Sequence, residues 1–377
     1  MSKLKVAALQ GLSASSDAIT LANDGTCTAN ITNNLSNRNL IINGSQIIDQ
    51  RNSGSNVTAH LAYPTDRFRI IKDTSSGSFT AARSTDAPSG FKNSLLFTTG
   101  TAYTPSSSEN NFIKYVIEGN DSAQLDFGNS GAKTITLSFY VKSSLTGNFA
   151  ASIVNGASNR SFPFSYSIGS ADTWTRITKT ITGDTTGTWA TDSGASMQVT
   201  WALGVGSNFE GTADSWQGSA EYAVSGHVKV TSTASATFAI TGVQLEVGSV
   251  ATDFEHLSFA DDLRKCQRYY FKLTGDDNDF LLSGFTYSAS LYYFIVNFPT
   301  VMRAYPTYTG SATAARFFTD NISQDFNLNT LTIAAQATTT HPTSTWLAAD
   351  QGGAGVASGG VLQAQNAVGT LEFSSEL

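Results

Sequence analysis

Five carboxylates, Asp184, Asp192, Glu210, Asp214 and Glu221, are of the type a polysaccharide-cleaving chain would need. Such a chain places two carboxyl groups about a glycosidic bond, one protonated and one charged. All five fall in Gly-, Ser- and Thr-rich turns, where an acidic side chain ordinarily serves turn geometry and hydration, and no two are marked as a pair. The four histidines, His60, His227, His256 and His341, come without the Gly-x-Ser-x-Gly elbow of a nucleophilic triad, and a structural hydrogen bond is the expectation for His256. Asp276, Asp277, Asn278 and Asp279 crowd hard oxygen donors into one turn, as calcium prefers, but at a spacing that matches no known calcium loop. A charged hairpin tip accounts for them, and calcium near Asp276 stays open. Two cysteines and four histidines offer no zinc cluster. The expectation is a protein without catalytic residues, resident metal or cofactor.

Glycan binding suits the composition better, because sugars offer flat C–H faces to aromatic rings and hydroxyls to Asn, Asp, Gln and Arg. Of the five tryptophans, Trp201 alternates with Met197 and Val199 and is expected in the core. Trp174, Trp189 and Trp216 lie at strand edges or in turns, where packing competes with exposure. His341 and Trp346 sit in a long Thr-rich loop, residues 338–346, and glycan contact is expected there first.

The elements that must position these residues are strands. Only 14% of the 377 residues are charged, Gly numbers 32, and short runs of Val, Ile, Phe and Tyr alternate with polar residues. Residues 1–50 have short extended pieces with too few apolar side chains to close a core, which predicts an arm that needs a partner. Over 51–257, Ile135, Leu137, Phe139 and Val141 form one apolar face. Phe162, Phe164, Tyr166 and Ile168 form another, and Met197, Val199, Trp201 and Leu203 a third. That pattern predicts an antiparallel jelly-roll β-sandwich. Gly248 and Ser249 stop the last strand, and Ser258 with Asp261 three residues on fits a helix cap, with Arg264, Lys265 and Arg268 toward the helix end. A short helix over 258–268 thus separates the jelly roll from a second, smaller β-sandwich over 269–377. In the latter, the strands around Gly275-Asp-Asp-Asn278 read as a hairpin. The Gly352–Gly360 run lacks the strand, Lys-Ser/Thr and helix of a phosphate loop and reads as loop or tight interchain packing.

The net charge of -7 and pI near 5.1 repel phosphate backbones and anionic lipid heads, so nucleic acid is not an expected partner. Cys27 and Cys266 are expected to be buried thiols. Without an apolar leader or an uninterrupted run of about 18 apolar residues, the chain is expected to fold in a cytoplasm and not to insert in a membrane.

Several segments, in order, resemble one family. They are Asn39-Leu-Ile-Ile-Asn-Gly44, Asp49-Gln-Arg51, Tyr63-Pro-Thr-Asp-Arg-Phe68, Leu137-Ser-Phe-Tyr-Val-Lys-Ser143, Gly183-Asp-Thr-Thr-Gly-Thr-Trp189, Phe254-Glu-His256 and Cys266-Gln-Arg-Tyr-Tyr270. Together they are similar to the tail-fibre-like structural proteins of tailed bacteriophages, of the marine and cyanophage type, with a carbohydrate-binding-like jelly roll. Asp253 stands where a proline is common in that family, and Leu257-Ser258 where a basic residue and a proline are usual. The resemblance implies a virion appendage, made in the host cytoplasm and attached to other virion proteins through residues 1–50. A homotrimer that recognises host surface polysaccharide without cleaving it is the expectation. A head-decoration or collar fibre without host contact, and a polysaccharide depolymerase, are the alternatives.

Overall fold

Ile135, Leu137, Phe139 and Val141 are all fully buried, as are Met197, Val199, Trp201 and Leu203, so the period-two pattern does set which faces meet. In this computed structural model the described residues are 6–10, 12, 19–21, 27–29, 37–73, 76–276, 279–288, 291–310, 315–318, 326–327, 330–333, 342–350, 360–364 and 369–377. Two five-stranded antiparallel sheets form the jelly-roll sandwich. The first runs, in spatial order, Ser161–Ile168, Gly147–Asn155, Ala195–Val205, Asn110–Glu118 and Phe68–Lys72. The second runs Thr175–Ile181, Ile135–Ser143, Thr237–Val247, Ser94–Thr99 and Phe79–Ser84. Between them Phe139 meets Trp201 edge-on at 5.8 Å and Phe149 packs on Phe238 at 5.9 Å. Each such fully buried side chain contributes about 1.5–3 kcal/mol of transfer free energy.

The outer faces differ. Residues of the 206–230 segment cover part of the first sheet, with Tyr222 stacked on Phe112 at 4.5 Å and Ala223 and Val224 buried beside Ala202 and Val205. The alternating Val228-Lys229-Val230 reads as a strand in sequence, but a 3-10 turn, Val230–Ser232, stands there and drops Val230 into the core.

The arm ends earlier than residue 50. Leu40, Ile41 and Ile48 are buried in the sandwich, and Leu40 N–H donates to Leu245 O at 2.9 Å. Gly44 accepts from Val243 N–H at 2.9 Å, and a Cβ at Gly44 would stand 2.1 Å from the Val243 carbonyl oxygen, so no larger residue fits. Ahead of this segment the strands Ala8–Leu9, Ile19–Leu21 and Cys27–Ala29 form a small sheet, and Leu9, Leu12 and Leu21 are exposed.

The helix Phe259–Gln267 starts where the capping pattern predicts, with the Ser258 hydroxyl oxygen accepting from Asp261 N–H at 3.2 Å. Asp262 on this helix accepts from Asn43 N–H at 2.9 Å, and Cys266 is a buried free thiol. Beyond it, Tyr270–Gly275 pairs with the carboxy-terminal strand Gly369–Ser374, which also pairs with Thr307–Gly310. Phe280–Ser288 pairs with Leu291–Asn297 in a larger sheet, and Leu291–Asn297 pairs in turn with Ser344–Asp350. The expected hairpin around 275–278 is thereby corrected: the strands on either side of that turn join different sheets. Phe271, Phe294, Leu347 and Phe373 share a small core of their own. His341, Asp277 and Asn278 lie outside the described residues, as does the glycine-rich run except Gly360, which opens a strand. Among the described residues no helix is long and apolar enough to cross a membrane.

Candidate glycan-binding face

On the second sheet the residues that alternate away from the core point outward. Arg176 stands directly opposite Tyr140, and Thr241 pairs with Tyr140 from the other side. The register of Thr237–Val247 then slips between Thr241 and Gln244, and Gly242 adopts φ +58°. A Cβ at Gly242 would lie 2.7 Å from the Phe91 ring and 3.0 Å from Tyr140, so the bulge and its glycine let two rings close over the backbone. Phe91 and Tyr140 have ring centres 5.3 Å apart. Phe254 and His256 add rings at 5.0 and 5.2 Å from Phe91.

These rings line a cleft of about 220 Å³ whose polar groups come from Ser138, Arg176 and Asp253. Arg176 is fixed by a hydrogen bond from Nη2 to Thr252 O at 2.5 Å, which leaves further N–H groups at an exposed position. Half-buried rings beside a guanidinium and a carboxylate offer a C–H face and hydrogen-bond partners together, which is the chemistry a pyranose ring requires. The Phe254-Glu255-His256 tripeptide divides by its alternation. Phe254 and His256 line the cleft, while Glu255 turns away and its Oε2 accepts from Asn39 N–H at 2.9 Å.

Of the tryptophans singled out in the sequence, Trp174 is brought to the edge of this face. It directly precedes the edge strand, two positions before Arg176, its Nε1–H donates to Asp86 Oδ1 at 3.3 Å, and Lys142 lies 5.5 Å from its ring. Lys142 also ion-pairs with Asp86, and that hydrogen bond holds the Asp86 carboxyl below the usual range, helped by Trp174. Trp189 and Trp216 are corrected to packing residues. Trp189 is only 9% exposed, and its ring is met edge-on by Phe127 at 4.9 Å and Trp216 at 5.7 Å. Trp216 is half-buried, enclosed by Phe127 and Phe162, and its Nε1–H is spent on Thr182 O at 2.8 Å. Trp346 is placed on Ser344–Asp350 opposite Ile295.

Each of the five carboxylates has a partner of its own. Asp184 takes both Nε and Nη2 of Arg160, at 2.9 and 2.7 Å, together with Thr186. Asp214 pairs with Lys179 at 2.6 Å, Asp192 caps Gly194 N–H at 2.8 Å, and Glu221 accepts from Ser219 at 2.6 Å. Glu210 lies 3.4 Å from His227, whose burial lowers its pKa and whose ring takes Val205 N–H at 3.2 Å. His256 is corrected from hydrogen-bonding residue to exposed cleft ring. Asp276 and Asp279 close their turn on each other, Asp276 N–H to Asp279 Oδ2 at 2.9 Å. Among the described residues no three potential ligands gather around a metal position.

Sequence reasoning missed Phe91, Tyr140, Arg176 and Phe254. One signal was present: Tyr140 follows Thr136 and Ser138 on the polar side of its strand, where a large ring has no core to fill.

No protein-family profile and no curated protein sequence matches the chain. Among solved structures, the enzymatically active domain of bacteriophage CBA120 tailspike protein 4 is similar over 56% of this chain and 22% of its own, at 12% identity and a TM-score of 0.31. The family 11 carbohydrate-binding module from Clostridium thermocellum, in complex with a β-1,3-1,4-mixed-linked tetrasaccharide, is similar over 54% of this chain and 99% of its own, at 11% identity and a TM-score of 0.28.

Proposed function

We propose that this chain is a non-enzymatic appendage protein of a tailed bacteriophage that holds host surface polysaccharide on the outer face of its second sheet. The observation that carries the binding half is the cleft. Phe91, Tyr140, Phe254 and His256 form a ring-lined floor, and Arg176 and Asp253 supply hydrogen bonds at its rim. The appendage half is supported by the ordered segments that resemble tail-fibre-like proteins. In the fold many of those segments, scattered through the chain, meet at one place. Asn43, Gln50, Arg51, Asp66, Arg67, Arg268 and Tyr270 all bond around the junction of sandwich, helix and carboxy-terminal sheets.

The amino-terminal arm attaches the protein to other virion proteins and associates with sister chains in a homotrimer; exposed Leu9, Leu12 and Leu21 favour this, since apolar side chains on so small a sheet gain burial only from a neighbour. Three weak sites on one trimer bind a repeating glycan with far more avidity than one. A depolymerase is disfavoured because each of the five turn carboxylates singled out in the sequence is held by a partner of its own. A glycan array probed with the intact protein and with Tyr140→Ala tests the binding half; equal signals from both would remove the cleft. Immunogold labelling of particles decides between tail and head or collar, and light scattering decides the trimer.

A further inference from the structure

A second and larger cavity, about 370 Å³, opens where the 37–42 segment, the short turn of helix Gly119–Ser122 and the joint helix Phe259–Gln267 meet. It contains no aromatic ring. Its apolar wall is Leu40 and Ile42, and its polar groups come from Asn37, Asn39, Asn120, Asp121, Gln124, Lys265 and Arg268.

Much of the hydrogen-bonding capacity is already committed, and what is left defines a ligand. Arg268 is spent on Glu118, and Asn120 gives its Nδ2–H to Glu118 Oε1 at 2.6 Å, leaving its carbonyl oxygen. Gln124 gives its Nε2–H to Asp121 O at 3.4 Å. Lys265 is half-buried on the pocket wall and feels the charges of Asp121 and Asp262, but among the described residues it comes within ion-pair distance of no carboxylate. Asp121 has a side chain open to the cavity and two acceptor oxygens. Asn39 is spent on Val243 O, Ile41 N–H and Leu245 N–H, so the unspent set is one ammonium, one carboxylate, the Asn37 side-chain amide and the amide oxygens of Asn120 and Gln124, above a small aliphatic wall.

We propose that this junction pocket binds a monosaccharide-sized ligand carrying a carboxylate, of the hexuronate class. The ligand carboxylate pairs with Lys265, its ring hydroxyls donate to Asp121 and to the Asn120 carbonyl oxygen, and its C–H face lies on Leu40 and Ile42. A neutral sugar brings no charge to pair with Lys265, and a simple carboxylate brings no hydroxyls for Asp121, so each makes only part of the contacts a hexuronate makes. The pocket is separate from the ring-lined cleft and its occupation does not depend on that reading.

Calorimetric titration of the 377-residue protein with glucuronate, glucose and acetate tests it. Glucuronate is expected to saturate, with glucose and acetate at least about tenfold weaker, the loss of roughly one charge-assisted contact. Lys265→Ala and Asp121→Ala should each weaken glucuronate about tenfold or more, Lys265→Arg should retain binding, and Tyr140→Ala should leave it unchanged. Melting curves of the variants confirm that they are folded, as expected for groups on the wall of an open pocket. Absence of saturation, glucose binding as well as glucuronate, or full affinity in folded Lys265→Ala overturns the proposal. So does loss of binding in Tyr140→Ala, which would put the ligand in the cleft.

Discussion

Arg268 closes on Glu118 across 150 positions of sequence, with Nε to Oε2 at 2.9 Å and Nη2 to Oε1 at 2.5 Å. Tyr269 O–H donates to the same carboxylate at 2.8 Å. Burial works to raise the Glu118 carboxyl, but the hydrogen bonds from Arg268, Tyr269 and Asn120 outweigh it and hold it below the usual range. Alongside, Arg67 ion-pairs with Glu376 and lies 3.4 Å from the centre of the Tyr269 ring, and Arg51 reaches both Asp66 and Glu376. The joint that divides the chain in sequence is therefore a bonded seam, with the strand Asn110–Glu118 on one side and the carboxy-terminal strands on the other.

Glu118→Gln should cost about 2–3 kcal/mol, the lower end for breaking a buried pair because Arg268 is partly exposed. Urea unfolding followed by tryptophan fluorescence gives the value. Limited proteolysis should show faster cutting near 249–258, and an unchanged cleavage rate would mean that the seam does not depend on this pair.

Tyr140→Ala should weaken glycan binding about tenfold, the loss of one stacked ring, with little change in melting temperature since Tyr140 packs on no core. Trp189→Ala should do the opposite, costing about 3–5 kcal/mol of stability by leaving a cavity against Phe127. Affinity electrophoresis in a glycan-loaded gel, run beside a thermal melt, separates the two behaviours.

Gly242→Ala should damage both properties. The residue sits at φ +58°, and a methyl group would stand 2.7 Å from the Phe91 ring, so about 1–3 kcal/mol of strain is expected and the rings must part. A variant that binds glycan normally would show that the bulge does not shape the cleft.

Burial raises the Asp66 carboxyl to about 6, against the pull of Arg51 and the Gln50 hydrogen bonds. The folded protein then holds this proton more tightly than the unfolded chain does. The contribution of Asp66 to stability is fully present below an ordinary Asp pKa of about 3.9 and is lost as pH rises through about 6. Asp66→Asn should flatten the stability profile between those two values; a profile identical to that of the parent would contradict the assignment. Glu118, shifted the other way, loses its contribution as pH falls through its lowered folded-state value, so the comparison with Asp66→Asn is what isolates Asp66.

The core of the sandwich was legible because it is local: Ile135 to Val141 and Met197 to Leu203 each declare their buried side by alternation alone. The cap of the joint helix is local too, three residues from Ser258 to Asp261. What escaped depends on register between distant strands. Arg176 meets Tyr140 only because Thr175–Ile181 pairs with Ile135–Ser143 at one offset, and Phe91 joins them only through the slip at Gly242. Trp189 looked exposable from its turn, and nothing near it in sequence announces Phe127 or Trp216.

The division of labour in Phe254-Glu255-His256 gives this short extended piece the properties of a lever. A load on the Phe254 or His256 ring pushes on a backbone whose middle residue grips Asn39, the root from which the chain leaves toward its amino terminus. The cleft and the root of the amino-terminal segment therefore share one mechanical linkage, three residues long.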